Sequence, residues 1–288
     1  MSQGLIGIIG GSGLYEMEGL ERVEERRIDT PFGAPSDAYI IGSLAGRRVA
    51  FLARHGRSHS LMPSELNFCA NIFGFKVLGA EWVISASAVG SMREDLPPLD
   101  IVIPDQFFDR TKGRVSTFFG GGLVAHVSFA DPTCPILGKS LFAAGQSVGA
   151  RIHCGGTYLC IEGPQFSTRA ESRIYRSWGV DVIGMTNLQE AKLCREAEIC
   201  YATLALVTDY DVWHETEQDV SVEAVVAILK QNAKTAQAII KATVSSFPAD
   251  REGCSCGSAM QDAIITARDA ISDDARERLR PIIGKYIT

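Results

Sequence analysis

The sequence predicts an α/β fold: one domain built on a mixed, largely parallel central sheet wrapped by helices. Three observations lead there. Short apolar runs alternate with helical patterns through most of the 288 residues, the order that winds a sheet with helices on its faces. The polar residues with chemical capacity follow the predicted strands, where open α/β sheets bind their ligands. Hydrophobic residues make up 46% of the chain, enough for a sizeable core, and no repeat, low-complexity tract or domain boundary divides it. Residues 1–288 therefore read as one domain with a helical C-terminal extension from about residue 250.

Taken in order, Leu5 to Ile9 is a strand that stops at Gly10-Gly-Ser-Gly13. A glycine turn there lets backbone N–H groups approach an anion, with the Ser12 hydroxyl as a further donor. Ala38 to Ile41 and Arg48 to Leu52 flank Gly42-Ser-Leu-Ala-Gly46 and read as a β-hairpin. Its second strand delivers Arg54-His-Gly-Arg-Ser-His59. Arginine offers a planar fork suited to phosphate, and a neighbouring histidine adds a donor. Pro63 to Leu78 carries helical spacing, and Trp82 to Ser87 is a buried strand that ends in the small residues Ser87-Ala-Val-Gly-Ser91.

Ile101 to Pro104 is short and apolar, and Asp105 to Gly122 reads as irregular, with His126 beyond it. Thr133 to Val148 is a helix. Thr157 to Glu162 is a strand leading into Gly163-Pro-Gln-Phe-Ser-Thr168, and Thr168 with Glu171 makes a capping box for a helix to Trp178. Val182 to Gly184 is a strand ending in Met185-Thr-Asn187, Leu188 to Ala197 is helical, and a buried strand runs from Ile199 into Thr208. Ser221 to Ser246 is a long helix with an apolar stripe. Gly253 to Ser258 reads as a linker-like turn, and Ala263 to Tyr286 holds two short amphipathic segments.

Composition narrows the function. A net charge of −6 opposes a nucleic-acid or acidic-membrane partner, which needs basic surface. No apolar run reaches the roughly 18 residues of a membrane span, and the N-terminus lacks a basic leader, so a cytoplasmic protein acting on a small molecule is expected. The eight cysteines form no paired C-x-x-C pattern, and most sit in apolar runs as core residues. Cys254 and Cys256 form a C-x-C in a Gly/Ser-rich turn, a strained redox pair or, as a reducing cytosol favours, two free thiols.

The chemistry centres on Thr208-Asp-Tyr-Asp-Val-Trp213. On an extended segment Asp209 and Asp211 share one side. A carboxyl that is desolvated or faces its twin holds a proton and can donate to a ring nitrogen, while its ionised partner can only accept, as from an exocyclic amino group. The N7/N6 edge of a 6-aminopurine presents both features. The alternative is that Asp209 starts a turn and Asp211 caps the next segment.

Together these stretches resemble the trimeric purine nucleoside phosphorylase superfamily, and within it the 5′-methylthioadenosine phosphorylase branch. The matching motifs are Ile6-Gly-Ile-Ile-Gly-Gly-Ser-Gly13, Thr30-Pro-Phe-Gly33, Arg54-His-Gly-Arg57 with His59 and Pro63, Ser87-Ala-Val-Gly-Ser91, Val102-Ile-Pro-Asp-Gln-Phe107, Ile161-Glu-Gly-Pro-Gln-Phe-Ser-Thr-Arg-Ala-Glu-Ser172, Gly184-Met-Thr186 and Thr208-Asp-Tyr-Asp-Val-Trp213. They keep family order over most of residues 5 to 230.

The resemblance implies a purine nucleoside phosphorylase-like fold and a phosphate site at Ser12, Arg54, His55, Ser87, Ala88 and Thr186. It implies Met185 against the ribose, Phe166 against the base, and His59, Val222, Val225 and Val226 at the 5′ end of the sugar. His126 is expected to reach in from a neighbouring subunit of a homotrimer or dimer of trimers. Asp209, Asp211 and Ser167 would hold and protonate the base. Relatives that prefer 6-oxopurines resemble Gly-Pro-x-Phe-Glu where this chain has Ser167, and carry Asn at the position of Asp209; the residues here favour adenine.

The implied reaction is phosphorolysis of 5′-methylthioadenosine to adenine and 5-methylthioribose 1-phosphate, with inorganic phosphate as co-substrate and no metal or other cofactor. A 6-oxopurine nucleoside or methylthioinosine phosphorylase is the alternative. A histidine phosphatase using His55 as nucleophile would leave the Asp209/Asp211 stretch and Gly163-Pro-Gln-Phe166 without a role; a non-catalytic nucleoside-binding protein is a third reading, which turnover distinguishes.

Overall fold

The computed structural model describes residues 4–11, 14, 17–214, 222–247, 251 and 253–287. Among the described residues eleven strands form one mixed sheet, and the way its partners change along one long strand creates the site. That strand is β5 (Ala80–Ser91). It runs parallel to β1 (Leu5–Gly10) on one edge, with the register ending at Ile9 opposite Ser85. On its other edge β11 (Cys200–Asp209) runs parallel to it as far as Gly90. β10 (Val182–Gly184) takes over the first edge in the antiparallel sense at Gly90 and Ser91. Between Ser85 and Gly90 the sheet therefore splits: β1 has ended and β10 has not begun. The expectation that β5 stops at Ser87 is corrected, because Ser87 to Ser91 remain strand and line the split.

β3 (Tyr39–Leu44) and β4 (Arg47–Ala53) pair as the expected hairpin. The turn is tighter than the glycine spacing suggested: Ala45 and Gly46 alone make it, both at positive φ, which suits the twist of paired strands. β4 then lies parallel to β1. Charged β2 (Leu20–Arg26), for which the sequence carried no apolar signal, forms the exposed edge beside β3. β6 (Ile101–Ile103) pairs with β11 and with β8 (Ile152–Cys154). The segment expected to be irregular after Asp105 contains β7 (Gln106–Arg110), which pairs with β9 (Thr157–Ile161). β7 escaped notice because it is largely exposed and polar.

Helix α1 is Phe68–Val77, capped by the Asn67 side chain, so the helix expected from Pro63 begins five residues later, after a short 3-10 turn. Eight of its ten residues are buried, which erases the one-sided pattern on which boundaries are read. α2 (Pro135–Ser147), α3 (Arg169–Ser177), α4 (Asn187–Glu196) and α5 (Val222–Ser245) lie where expected, α3 with the Thr168/Glu171 capping box. The C-terminal extension, with α6 (Asp273–Arg278) and α7 (Arg280–Ile283), contributes Met260, Ile271, Leu279 and Ile283 to the same apolar cluster as α1. No helix among the described residues is long and apolar enough to cross a membrane.

Candidate active site

The split in the sheet is walled on one side by the ends of β1 and β4 and on the other by β10. In a strand, the N–H and C=O of one residue point to one edge and those of the next to the other. Ala86 C=O accepts a hydrogen bond from Arg54 Nη1 at 3.0 Å, so its edge faces the split, and Ala88, two residues on, aims its N–H the same way. Ser87 is buried beside it. Its hydroxyl donates to Asn187 Oδ1 at 2.5 Å, tying β5 to the first residue of α4. Thr186 is the N-cap of α4, is buried, and makes no side-chain capping bond. The positive end of α4 thus opens beside Ser87 and Ala88, an arrangement suited to an anion.

Arg54 reaches this point from the end of β4, but its fork is not open as expected. Nε donates to Glu190 Oε1 at 2.6 Å, Nη2 to Ser85 Oγ at 2.6 Å and to Glu190 Oε2 at 3.4 Å, and Nη1 to the Ala86 carbonyl. Of five N–H groups, one on Nη1 is left for a ligand among the described residues. Burial works against the charge, and the facing Glu190 carboxylate outweighs it, so Arg54 stays protonated. Glu190 also accepts from Ser85 at 2.8 Å and from the Tyr201 hydroxyl at 2.9 Å. Asn187 donates towards Ser85, Tyr201 and Thr203. This network holds the guanidinium in one place.

His55 is not a second cation. Its Nδ1 lies 2.8 Å from the Leu61 carbonyl and can meet it only as a donor, which leaves Nε2 as an acceptor on the neutral ring. Burial and the neighbouring Arg54 charge hold its pKa down at about 4. His59, exposed and at positive φ, stacks on His55 at 4.6 Å. Arg57 turns outward to Glu25 and Asp37. Ser12 lies outside the described residues.

At the other end of the split, Gly90 makes room for the two aspartates. A Cβ there would stand 2.9 Å from Asp209 Oδ1 and 3.4 Å from Asp211 Cβ. The carboxylates are not side by side on a strand: β11 ends at Asp209, and Asp211 sits in a turn at φ 53°. Asp209 Oδ1 accepts from Asp211 N–H at 2.8 Å, and Oδ2 from Thr208 Oγ1 at 2.6 Å. The turn reading of Asp209 is correct, and it is this turn that folds Asp211 back towards the site.

Burial raises both carboxyl pKa values, and for Asp209 the charge of Asp211 adds to the effect. The hydroxyls of Ser167 and Ser172 face the Asp211 carboxyl and partly offset the rise. Yet among the described residues neither hydroxyl, nor Asp211 Oδ2, closes a hydrogen bond, although all three atoms are buried. A buried polar atom left unpaired costs about 1–3 kcal/mol. Three converging on one point mark a place that a ligand completes.

Met185 connects the two ends. Its sulfur packs on Gly163, where a Cβ would lie 2.5 Å from it. Its carbonyl accepts from Arg114 Nη1 at 2.6 Å. Arg114, which the sequence reading passed over, also binds the Glu162 side chain and carbonyl, and so fixes the loop that carries Phe166 and Ser167. Tyr158 was missed as well. Its buried hydroxyl faces Ser87 and Thr186 without closing a bond among the described residues, and it fills the space left by Gly184.

Phe166 is half exposed at the rim. Val226 is exposed on α5, and the side chains of Val222 and Val225 lie outside the described residues. His126 is on an exposed segment whose backbone binds Ala263 of the C-terminal extension.

A sequence profile of the phosphorylase superfamily matches residues 5–245. The chain is 60% identical over 284 residues to the S-methyl-5′-thioadenosine phosphorylase of Koribacter versatilis, covering 99% of this chain and 97% of that one. The chain belongs to the S-methyl-5′-thioadenosine phosphorylase family of this superfamily. Its relative from Geobacter sulfurreducens is 58% identical over 284 residues, covering 98% and 99% of the two chains. The crystal structure of a methylthioadenosine phosphorylase from an antarctic soil metagenomic library superposes with a TM-score of 0.92 at 50% identity, covering 98% and 99%. The methylthioadenosine phosphorylase of Schistosoma mansoni, solved with adenine, gives 0.84 at 33% identity, covering 90% and 100%. The bacterial relatives thus match 98–99% of the chain.

Proposed function

We propose that the chain catalyses phosphorolysis of 5′-methylthioadenosine, releasing adenine and 5-methylthioribose 1-phosphate. The observation that carries this reading is the set of three unpaired buried atoms around Asp211, next to an Asp209 whose pKa is raised. An acceptor carboxylate and two hydroxyls beside a proton-holding carboxyl suit the N6 and N7 edge of adenine. Asp209 donates its proton to N7 as the base leaves, and Asp211, set by Ser167 and Ser172, orients the amino group.

Phosphate lies between Ala88 N–H, Ser87, Thr186 and the remaining Arg54 N–H. His55 Nε2 accepts a phosphate hydroxyl, and Ser12 supplies a further donor. Three residues of strand, about 10 Å at 3.3 Å each, separate Ser87 from Gly90. That span accommodates phosphate on one face of the ribose and the base on the other, the geometry in-line displacement at C1′ requires. As the glycosidic bond breaks, the phosphate anion stabilises the positive charge on the sugar, and the fixed network around Arg54 avoids reorganisation.

Met185 covers the ribose, Phe166 the base, and His59, Val222, Val225 and Val226 the methylthio end. His126 comes from a neighbouring subunit of a trimer or dimer of trimers. Phosphate is the sole co-substrate, with no metal in the reaction, and the setting is cytoplasmic purine and methionine salvage. The test is adenine formation from 5′-methylthioadenosine with phosphate supplied or withheld, alongside Asp209→Asn and Asp211→Asn.

A further inference from the structure

Far from one another in sequence, Cys134, Cys200, Cys254 and Cys256 bring their sulfur atoms within 4.8 Å of one another. Cys134 is the N-cap of α2, Cys200 opens β11, Cys256 lies in a 3-10 turn of the C-terminal extension and Cys254 caps that turn. The turn that read as a linker is packed onto the core, with Cys256 buried among apolar residues. Cys134, Cys200 and Cys256 are buried and Cys254 partly so; none of the eight cysteines is in a disulfide. The catalytic reading uses none of them.

Two chemistries bring four thiols together. A disulfide needs sulfurs about 2 Å apart and one chosen partner. Cys254 Sγ has no such preference, standing 3.5 Å from Cys134 Sγ and 3.4 Å from Cys200 Sγ. A tetrahedral zinc site with Zn–S near 2.3 Å spaces its sulfurs about 3.8 Å apart on every edge. The two spacings at Cys254 lie close to that figure, and all four atoms stay within 4.8 Å of one another rather than dividing into pairs.

The surroundings suit thiolates. Cys256 N–H donates to Cys254 Sγ at 3.3 Å, and Leu137 N–H, in the first turn of α2, faces Cys134 Sγ. The N-terminal end of the 13-residue α2 favours negative charge there. The Arg251 guanidinium packs against Gly257, one residue from Cys256.

We propose that Cys134, Cys200, Cys254 and Cys256 form a closed, four-thiolate structural site for a soft divalent cation, with zinc the occupant. Binding replaces four S–H bonds by four Zn–S bonds and releases the four protons to solvent, with no change of oxidation state. The site is structural because all four ligand positions come from the protein and leave no position for substrate. It fastens the C-terminal extension to the start of β11 and to α2.

The test is the metal content of the full-length protein, purified with a phosphine reductant and no chelator. Elemental analysis should give one zinc per chain, and reconstitution with cobalt(II) should produce the intense visible absorption of tetrahedral thiolate coordination. Cys254→Ser/Cys256→Ser should lose the metal, while Cys154→Ser, which alters an exposed thiol outside the cluster, should keep it. Should the double variant fail to fold, the zinc count and cobalt spectrum of the unaltered protein still decide. Metal-free protein with four titratable thiols that take up neither zinc nor cobalt would overturn the proposal. So would a chain lighter by the hydrogens of two disulfides after purification without reductant, if reduction then yields no metal binding.

Discussion

Replacing Glu190 with glutamine isolates the charge of Arg54 in the core. Both side chains are almost fully buried, and their contact at 2.6 Å is the ion pair that keeps the guanidinium charged. Removing one member of a buried pair costs about 3–5 kcal/mol, because the partner charge stays without compensation. At roughly 2 °C per kcal/mol for a chain of this size, the thermal midpoint should fall by about 6–10 °C. Phosphate offers a replacement counter-charge through the free Nη1 N–H. In phosphate-free buffer the loss should therefore be full, and saturating phosphate should raise the variant's midpoint more than that of the unaltered protein. Differential scanning calorimetry in the two buffers reads both effects. A loss below about 1 kcal/mol, or equal phosphate shifts in both proteins, would refute the placement of Arg54 between Glu190 and the anion.

Three further outcomes are expected. Gly90→Ala pushes a methyl group to 2.9 Å from Asp209 Oδ1; displacement of about 1 Å can cost a hundredfold in rate, so kcat should drop by about that factor while the circular dichroism spectrum is kept. Asp209→Asn removes the proton donor and should lower kcat/KM for 5′-methylthioadenosine by about 10²–10⁴, with a smaller loss for methylthioinosine; equal losses for the two substrates would sink the assignment to N7. Glu196, which accepts from Thr117 and Phe118 N–H, has its pKa pushed up by burial to about 7, against 4.5 when exposed. Its folded form keeps a proton the unfolded chain has lost, so its stabilising contribution is full below pH 4.5 and disappears as pH rises through 7. Urea titrations should show this slope, about 3 kcal/mol in all, and Glu196→Gln should abolish it.

How much was legible in the sequence depends on which interactions are local. β1, β9, β10, β11 and α3 were readable because an apolar run or a capping pair states them within a few residues. The polar residues after those strands were readable for the same reason, and the fold gathers Arg54, Ser87, Thr186, Asp209 and Asp211 along the split in β5. β2 and β7 were not readable: Glu21 to Arg26 and Asp109 to Arg110 are exposed edge residues, with no core face to impose alternation. Glu190 left a fainter signal. Asn187, Glu190, Ala191 and Cys194 fall at i, i+3, i+4 and i+7, so two polar residues lie on the buried stripe of α4. A carboxylate there needs a buried cation, and Arg54 at the end of β4 supplies it. The thiol cluster could not be seen, because spacings of dozens of residues carry no register; the packing of the C-terminal extension alone brings its members together.

The most direct test of the central claim is the release of adenine from 5′-methylthioadenosine by the purified protein, with inorganic phosphate present and absent. Adenosine, inosine and methylthioinosine belong beside it. Adenine release that requires phosphate and is fastest with the methylthio substrate is the predicted result. Release that proceeds equally without phosphate would make the enzyme a hydrolase and leave the split beside Ala88 and Thr186 without its anion. Faster turnover of the inosine substrates would contradict the pairing of Asp209 and Asp211 with an adenine edge.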